Sequence, residues 1–300
     1  MKLNTITEFI NYYGQEVEKE LKHIFPKDWY IPKRLEEAMS YSLFAGGKRL
    51  RPILTIAALE ALNGSIRSIL PAAAAIEMIH TYSLIHDDLP AMDDDDYRRG
   101  KLTNHKVYGE AMAVLAGDAL LTHAFYVISN SLRMKEVPAE KILNLVEELS
   151  AYAGPRGMVG GQVDDIDGEQ GITNIHQLEK IHIHKTGDLI VYSLRAGGHI
   201  AGANDEQLKA LASFGYKIGL AFQIQDDILD IIGDEQKLGK PVLSDENANK
   251  VTYPYLIGLE ACVEKVKELT EEAKHDIAEA NFPNPNRLLE IADFLMQREH

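Results

Sequence analysis

The sequence is poor in several features that would narrow its class at once. It carries one cysteine, Cys262, in 300 residues, so no internal disulfide can form. No unbroken apolar run approaches the roughly 20 residues of a membrane span, and the stretch from Met1 to Glu8 has no apolar signal core. Positive charge is scarce: 31 Lys and Arg face 46 Asp and Glu, a formal net charge of −15. A nucleic-acid backbone is therefore excluded as a partner, because it needs an extended basic face. A small anionic substrate is not excluded, provided metal and local Lys or Arg reverse the sign where it binds. Strand-like alternation, fixed-period repeats, low-complexity segments and linker-like stretches are missing too. What remains is a soluble, cytoplasmic protein without stable membrane association. It is expected as one domain over 1–300, with 45% apolar residues to build a core.

Helical periodicity is what the chain does have. Apolar residues at three- and four-residue steps predict helices over 9–25, 35–44, 53–62, 69–88, 111–130, 140–153, 178–198, 214–232, 255–279 and 287–297. Residues 103–105 read as a loop. The stretch 69–88 is nearly free of polar residues apart from Glu77, His80 and His86, and a helix apolar all round belongs at the centre of its fold.

At the end of that central helix, Asp87, Asp88, Asp93, Asp94, Asp95 and Asp96 place six carboxylates within ten residues, with Arg98 and Arg99 just beyond. Each pair about 4 Å apart repels by about 4 kcal/mol at an effective dielectric near 20, so a folded cluster calls for cations. A solvated acidic loop is the ordinary reading of such a run; the apolar helix before it favours carboxylates lining a cavity. A second set, Asp226, Asp227 and Asp230, lies in the predicted helix 214–232 at three- and four-residue spacing, so all three are expected on one face. Charge on so apolar a helix is costly unless paired or metal-bound. Hard oxygen ligands of this kind select Mg²⁺, which is usually shared with substrate phosphates. The apolar helices would then enclose a hydrocarbon tail.

Four other places carry chemistry. Gly46-Gly47-Lys48-Arg49-Leu50-Arg51-Pro52 admits two readings: basic residues answering a helix C-terminus, or an anion site with Lys48 and Arg51 on one face of a starting helix. His80 reads as a core histidine or a ligand. The glycines and aspartates of 160–168 are expected behind a site rather than on it. Lys185-Thr186-Gly187, mid-helix, is either a kink lining a cavity or an ordinary glycine irregularity. Beyond these, Lys237, Lys240 and Lys250 of the loop 233–250 can meet anionic oxygens.

Taken together, residues 46–52, Asp87-Asp88-Leu89-Pro90-Ala91-Met92-Asp93 followed by Arg98-Arg99, and Asp226-Asp227-Ile228-Leu229-Asp230 resemble the bacterial, farnesyl-forming branch of the trans-isoprenyl diphosphate synthase family. The likeness runs from Gly46 through Lys250 and is weaker at both ends. It implies a large all-α bundle around a central cavity, homodimeric, that condenses isopentenyl diphosphate with dimethylallyl and geranyl diphosphate to a fifteen-carbon trans product. It implies that Asp87, Asp88 and Asp93 hold Mg²⁺ on the allylic diphosphate and that Asp226, with Asp227 and Asp230 behind it, holds a further Mg²⁺, three ions in all with diphosphate bound. By the same resemblance, Arg98, Lys185 and Lys240 bind the allylic diphosphate, and Lys48, Arg51, His80 and Arg99 bind isopentenyl diphosphate without metal. Thr186 and Gln223 would flank the reacting carbons. Tyr82, five positions before the first motif, resembles the stop that limits the product to farnesyl length, although helical geometry alone puts Ser83 nearer the Asp87 stripe.

Two positions depart from the family pattern. Leu243-Ser244-Asp245 stands where Gly-Ser-Asp is more usual, and Asp188 adds a negative charge beside Lys185. Rival readings are a synthase of longer products such as geranylgeranyl diphosphate, and a non-catalytic partner subunit, which would have broken motifs; none is broken. A terpene cyclase has no need of Lys48, Arg51 and His80. A Ca²⁺-binding protein would need a loop spaced for carbonyl ligands.

Overall fold

The computed structural model describes residues 3–130, 133–168, 174–232 and 251–296. These fall into two compact units, Met1–Ile56 with Ile66–Val146, and Ala57–Ser65 with Glu147–His300.

The first unit holds α1 (Ile6–Leu21), α2 (Lys33–Leu43), the first part of α3 (Leu50–Ala61), α4 (Ile66–Asp87), α5 (Asn104–Tyr108), α6 (Glu110–Ser129) and the start of α7 (Ala139–Ala153). Its axis is α4, against which α1, α2 and α6 pack. The run Ala72–Ala75 has the highest helix propensity of any residue type, and its small side chains, all buried, let neighbours close in. Gly117 of α6 makes the closest approach: a Cβ there would lie 2.1 Å from His86 Nε2. By length and composition α4 and α6 could each cross a membrane; 78% of the apolar window of α4 is buried inside protein, and 44% of that of α6. The absence of a span-length stretch therefore holds for unbroken runs and not for hydropathy averaged along these helices.

Two local differences from the sequence reading occur here. Residues 104–108 form α5 rather than a loop, because Asn104 Nδ2 reaches Ala38 O and Ser42 Oγ, each at 2.8 Å, and is buried. After the acidic run, β1 (Tyr97–Arg98) and β2 (Lys101–Leu102) pair antiparallel in a short hairpin. Its turn residues Arg99 (φ 53) and Gly100 (φ 73) both have positive φ, the twist that tight hairpins require.

The second unit holds the end of α3, most of α7, α8 (Met158–Gly168), α9 (Ile175–Ile181), a π-turn (His182–Gly187), α10 (Asp188–Ala201), α11 (Asp205–Ile232), α12 (Tyr253–Ile257), α13 (Leu259–Glu279) and α14 (Asn286–Met296). The helix expected over 178–198 is thus interrupted where Lys185-Thr186-Gly187 pointed to a kink. Glycines let the neighbours of the π-turn approach it. A Cβ on Gly161 of α8 would lie 2.2 Å from Lys185 N, and one on Gly219 of α11 would lie 3.2 Å from Gly187 Cα. On its other flank α11 packs Leu220, Ala221, Ile224 and Ile228 against Cys262, Val266 and Leu269 of α13. Gly258, at φ 83, separates α12 from α13, which is why the helix expected over 255–279 is two. Among the described residues the fold is all-α apart from the hairpin.

Candidate active site

In the first unit, α4 ends at Asp87 and the chain turns back on itself. Met92 N–H donates to Leu89 O at 2.8 Å, Asp94 N–H to Leu89 O at 3.1 Å and Asp93 N–H to Asp87 O at 2.9 Å. The Leu-Pro turn thereby returns the third aspartate of the motif to the first. Asp93 is exposed and Asp87 half-buried, whereas Asp88 is 3% exposed. Arg98 Nε donates to Asp88 Oδ1 at 2.6 Å, and Asp95 lies 3.4 Å from the same guanidinium. Burial pushes the Asp88 carboxyl above its ordinary value, against the pull of Arg98. The hairpin is what delivers Arg98 to this position.

A cationic cradle lies behind the carboxylates. Gly46 (φ 100) and Gly47 (φ 113) carry the chain through a left-handed bend, and Arg99 donates to Gly46 O. A Cβ on Gly47 would fall 2.6 Å from the Arg99 guanidinium carbon, so any side chain there would strain the backbone and displace Arg99. Arg51 is pushed down to about 10 by burial, with Glu77 favouring its charge and Arg99 opposing it. His80 is driven well below the usual histidine range by burial and then by Arg51, Arg99, Arg98 and Arg49. It is a neutral imidazole at pH 7. Arg49 itself turns elsewhere: it is 4% exposed and donates to Glu77 Oε1 at 2.6 Å and to Leu43 O at 2.8 Å. Lys48 is exposed on the same bend.

Below the acidic corner, Tyr82 is 6% exposed, with its ring edge-on to His86 at 5.7 Å between centroids. Burial, with Asp87 adding, raises its hydroxyl to about 12. Ser83 Oγ donates back to His80 O at 3.0 Å.

In the second unit the π-turn presents Lys185 and Thr186, both half-buried. Lys185 Nζ lies 2.6 Å from Asp165 Oδ2 of α8, within the second acidic patch. Asp188 is held by His184 Nδ1 and by the Tyr216 hydroxyl, each at 2.8 Å. On α11, Gln223 and Asp226 are half-buried, while Asp227 and Asp230 are buried. The expectation that all three aspartates share one face needs correction. Adjacent helical residues diverge by about 100°, and Asp227 Oδ2 accepts the Tyr253 N–H at 2.9 Å. Lys237, Lys240, Leu243 and Lys250 lie outside the described residues.

The chain matches the polyprenyl synthetase family over residues 32–282. It belongs to that family. The farnesyl diphosphate synthase of Geobacillus stearothermophilus is 48% identical over 296 residues, covering 99% of each chain. The geranylgeranyl diphosphate synthase of Cyanophora paradoxa is 46% identical over 286 residues, covering 95% of this chain and 93% of its own. A solved geranyltransferase from Helicobacter pylori, complexed with magnesium and isoprenyl diphosphate, is similar with a TM-score of 0.83 at 36% identity, over 99% of this chain and 98% of its own.

For a polyprenyl synthetase the donor set fits Mg²⁺. Asp87 and Asp93 offer accessible carboxylates tied together by the turn. Among the described residues no group of three His, Cys, Asp or Glu side chains is placed to hold a metal ion by itself; Mg²⁺ usually keeps waters and shares one or two carboxylates with substrate phosphates. The sequence reading assigned no part to Arg49, Tyr253 or the Glu77 carboxylate. Glu77 stood out in the sequence only as one polar residue in an apolar helix; in the fold it pairs with Arg49, whose backbone is left-handed (φ 51).

Proposed function

We propose that the chain joins isopentenyl diphosphate to dimethylallyl and then geranyl diphosphate, giving farnesyl diphosphate. The observation that carries this reading is the division of charge in the first unit. A carboxylate corner, which needs metal to accept a diphosphate, stands in front of an arginine–histidine cradle, which does not. Two diphosphates of different chemistry are what such a pair of sites would take. Full-length similarity to a farnesyl diphosphate synthase supports the same conclusion.

In this reading Asp87, Asp88 and Asp93 hold Mg²⁺ on the allylic diphosphate and Asp226 holds a further ion, three in all. The metal supplies neutralisation of the leaving diphosphate. Arg98, Lys185 and Lys240 add cationic hydrogen-bond donors to the same group as its carbon–oxygen bond breaks. Lys48, Arg51 and Arg99 bind the isopentenyl diphosphate, and neutral His80 donates to it as a hydrogen-bonding group. Thr186 and Gln223 turn oxygen atoms toward the allylic cation, which the isopentenyl double bond attacks. The proton lost afterwards goes to the departing diphosphate, since no side-chain base is assigned there. Residues 1–300 act as one synthase domain, in a cytoplasmic homodimer.

Tyr82 favours a fifteen-carbon product over the geranylgeranyl length. Chromatography of products from isopentenyl diphosphate with each allylic starter tests the proposal. Farnesyl diphosphate from both starters is expected. A twenty-carbon main product would overturn the length assignment, and no condensation at all would overturn the reading.

A further inference from the structure

The second acidic motif sets two adjacent aspartates on α11, and they meet different surroundings. Asp226 is half-buried, whereas Asp227 is 7% exposed. The Asp227 carboxylate accepts the N–H of Tyr253, the first residue of α12. That N–H is one of those a helix start leaves without a partner, and Thr252, at the cap position, makes no side-chain capping bond. A carboxylate from another helix fills the place instead, where the positive end of α12 favours it. Tyr253 is 1% exposed and reaches in two directions. Its hydroxyl donates to Glu179 Oε1 at 3.0 Å in α9, and its ring stacks on His182 with centroids 5.7 Å apart and planes at 17°. His182 is the first residue of the π-turn, and Lys185 and Thr186 follow within that turn.

We propose that Asp227 is a positioning residue: its carboxylate fixes Tyr253, and Tyr253 braces the π-turn that carries Lys185 and Thr186. The second aspartate of the motif thus serves the protein frame, while the first serves the metal. This rests on the functional reading above, in which Asp226 holds Mg²⁺ and Lys185 binds the allylic diphosphate.

The two roles separate by a conservative exchange. Asp227→Asn keeps an oxygen for the Tyr253 N–H and Asp227→Ala removes it; Asp226→Asn is the metal comparison. Steady-state kinetics would give kcat, the KM for geranyl diphosphate and the Mg²⁺ concentration for half-maximal rate. With a backbone hydrogen bond at stake, Asp227→Ala is expected to lose about tenfold or more in kcat, and Asp227→Asn to recover to within about threefold of the parent. Half-maximal Mg²⁺ stays unchanged in both. Tyr253→Phe, which keeps the N–H and loses only the bond to Glu179, raises the KM for geranyl diphosphate and leaves that for isopentenyl diphosphate alone. The proposal is overturned if Asp227→Asn is as impaired as Asp227→Ala and its Mg²⁺ requirement rises as in Asp226→Asn. Should Asp227→Ala not fold, a Tyr253→Phe protein with parental KM values would equally remove the brace. An Asp226→Asn protein with unaltered Mg²⁺ dependence would sink the metal assignment, and recovery in Asp227→Asn would then still decide the brace.

Discussion

His80 sits among arginines and is kept neutral, with burial and then Arg51 as the leading causes. A bound diphosphate would reverse the local sign and raise the imidazole pKa. The complex then holds more protons than the free protein, so affinity for isopentenyl diphosphate rises as pH falls toward the bound-state pKa. Calorimetry in buffers of different ionisation heat should find proton uptake on binding in excess of that seen with His80→Gln. Equal uptake in both proteins would place the diphosphate away from His80. Tyr82 makes a second test at this scale. Removal of its buried ring costs about 3–5 kcal/mol if packing is its whole role. A length stop further predicts that Tyr82→Ala shifts the product from fifteen to twenty or more carbons, read by chromatography. A folded variant that still ends at fifteen carbons would move the stop to another residue, with Ser83 next in line.

Among the elements, the acid-rich end of α4 and the break at Lys185-Thr186-Gly187 were legible because charge stood out against apolar periodicity. Helix starts were less so. α1 begins at Ile6 rather than Phe9 because Thr5 and Glu8 form a capping box, with Glu8 N–H donating to Thr5 Oγ1 at 3.2 Å, a polar signal that a search for apolar steps passes over. The hairpin escaped because each strand has two residues and its first turn residue is arginine rather than the usual asparagine. Glycine contacts were invisible for another reason: Gly161 matters through His184 and Lys185, which are distant in sequence. Gly161→Ala should force the two apart, costing about 1–3 kcal/mol of stability by overpacking and raising the KM for the allylic diphosphate. Thermal unfolding together with kinetics would check it; a parental KM would mean Lys185 tolerates the displacement.

For the molecule as a whole, the proposed function makes the two diphosphates separable. Arg51→Ala removes a charged donor worth about 1.5–3 kcal/mol, so the KM for isopentenyl diphosphate should rise by about 10- to 100-fold with little change for geranyl diphosphate. Lys185→Ala should do the reverse. Equal effects on both substrates would exchange or merge the assigned sites, and turnover that survives excess chelator would remove the metal from the scheme. Family membership was readable from three motifs. The partners of the site's charges were not, because Asp88 meets Arg98, Lys185 meets Asp165 and Asp227 meets Tyr253 only after folding.

The π-turn has one consequence for how this chain tolerates change. Its closing N–H, on Asp188, reaches back five residues to Ile183 O, one more than an α-helix spans. The turn therefore stores an extra residue, and α9 and α10 keep different rotational phases on either side of it. Were the segment to relax into continuous α-helix at its present length, everything after it would rotate by about 100° relative to everything before. Side chains of α10 that now face α11 would swing away while the sequence stayed unaltered. The wide turn, more than the identity of its residues, sets the phase between α9 and α10.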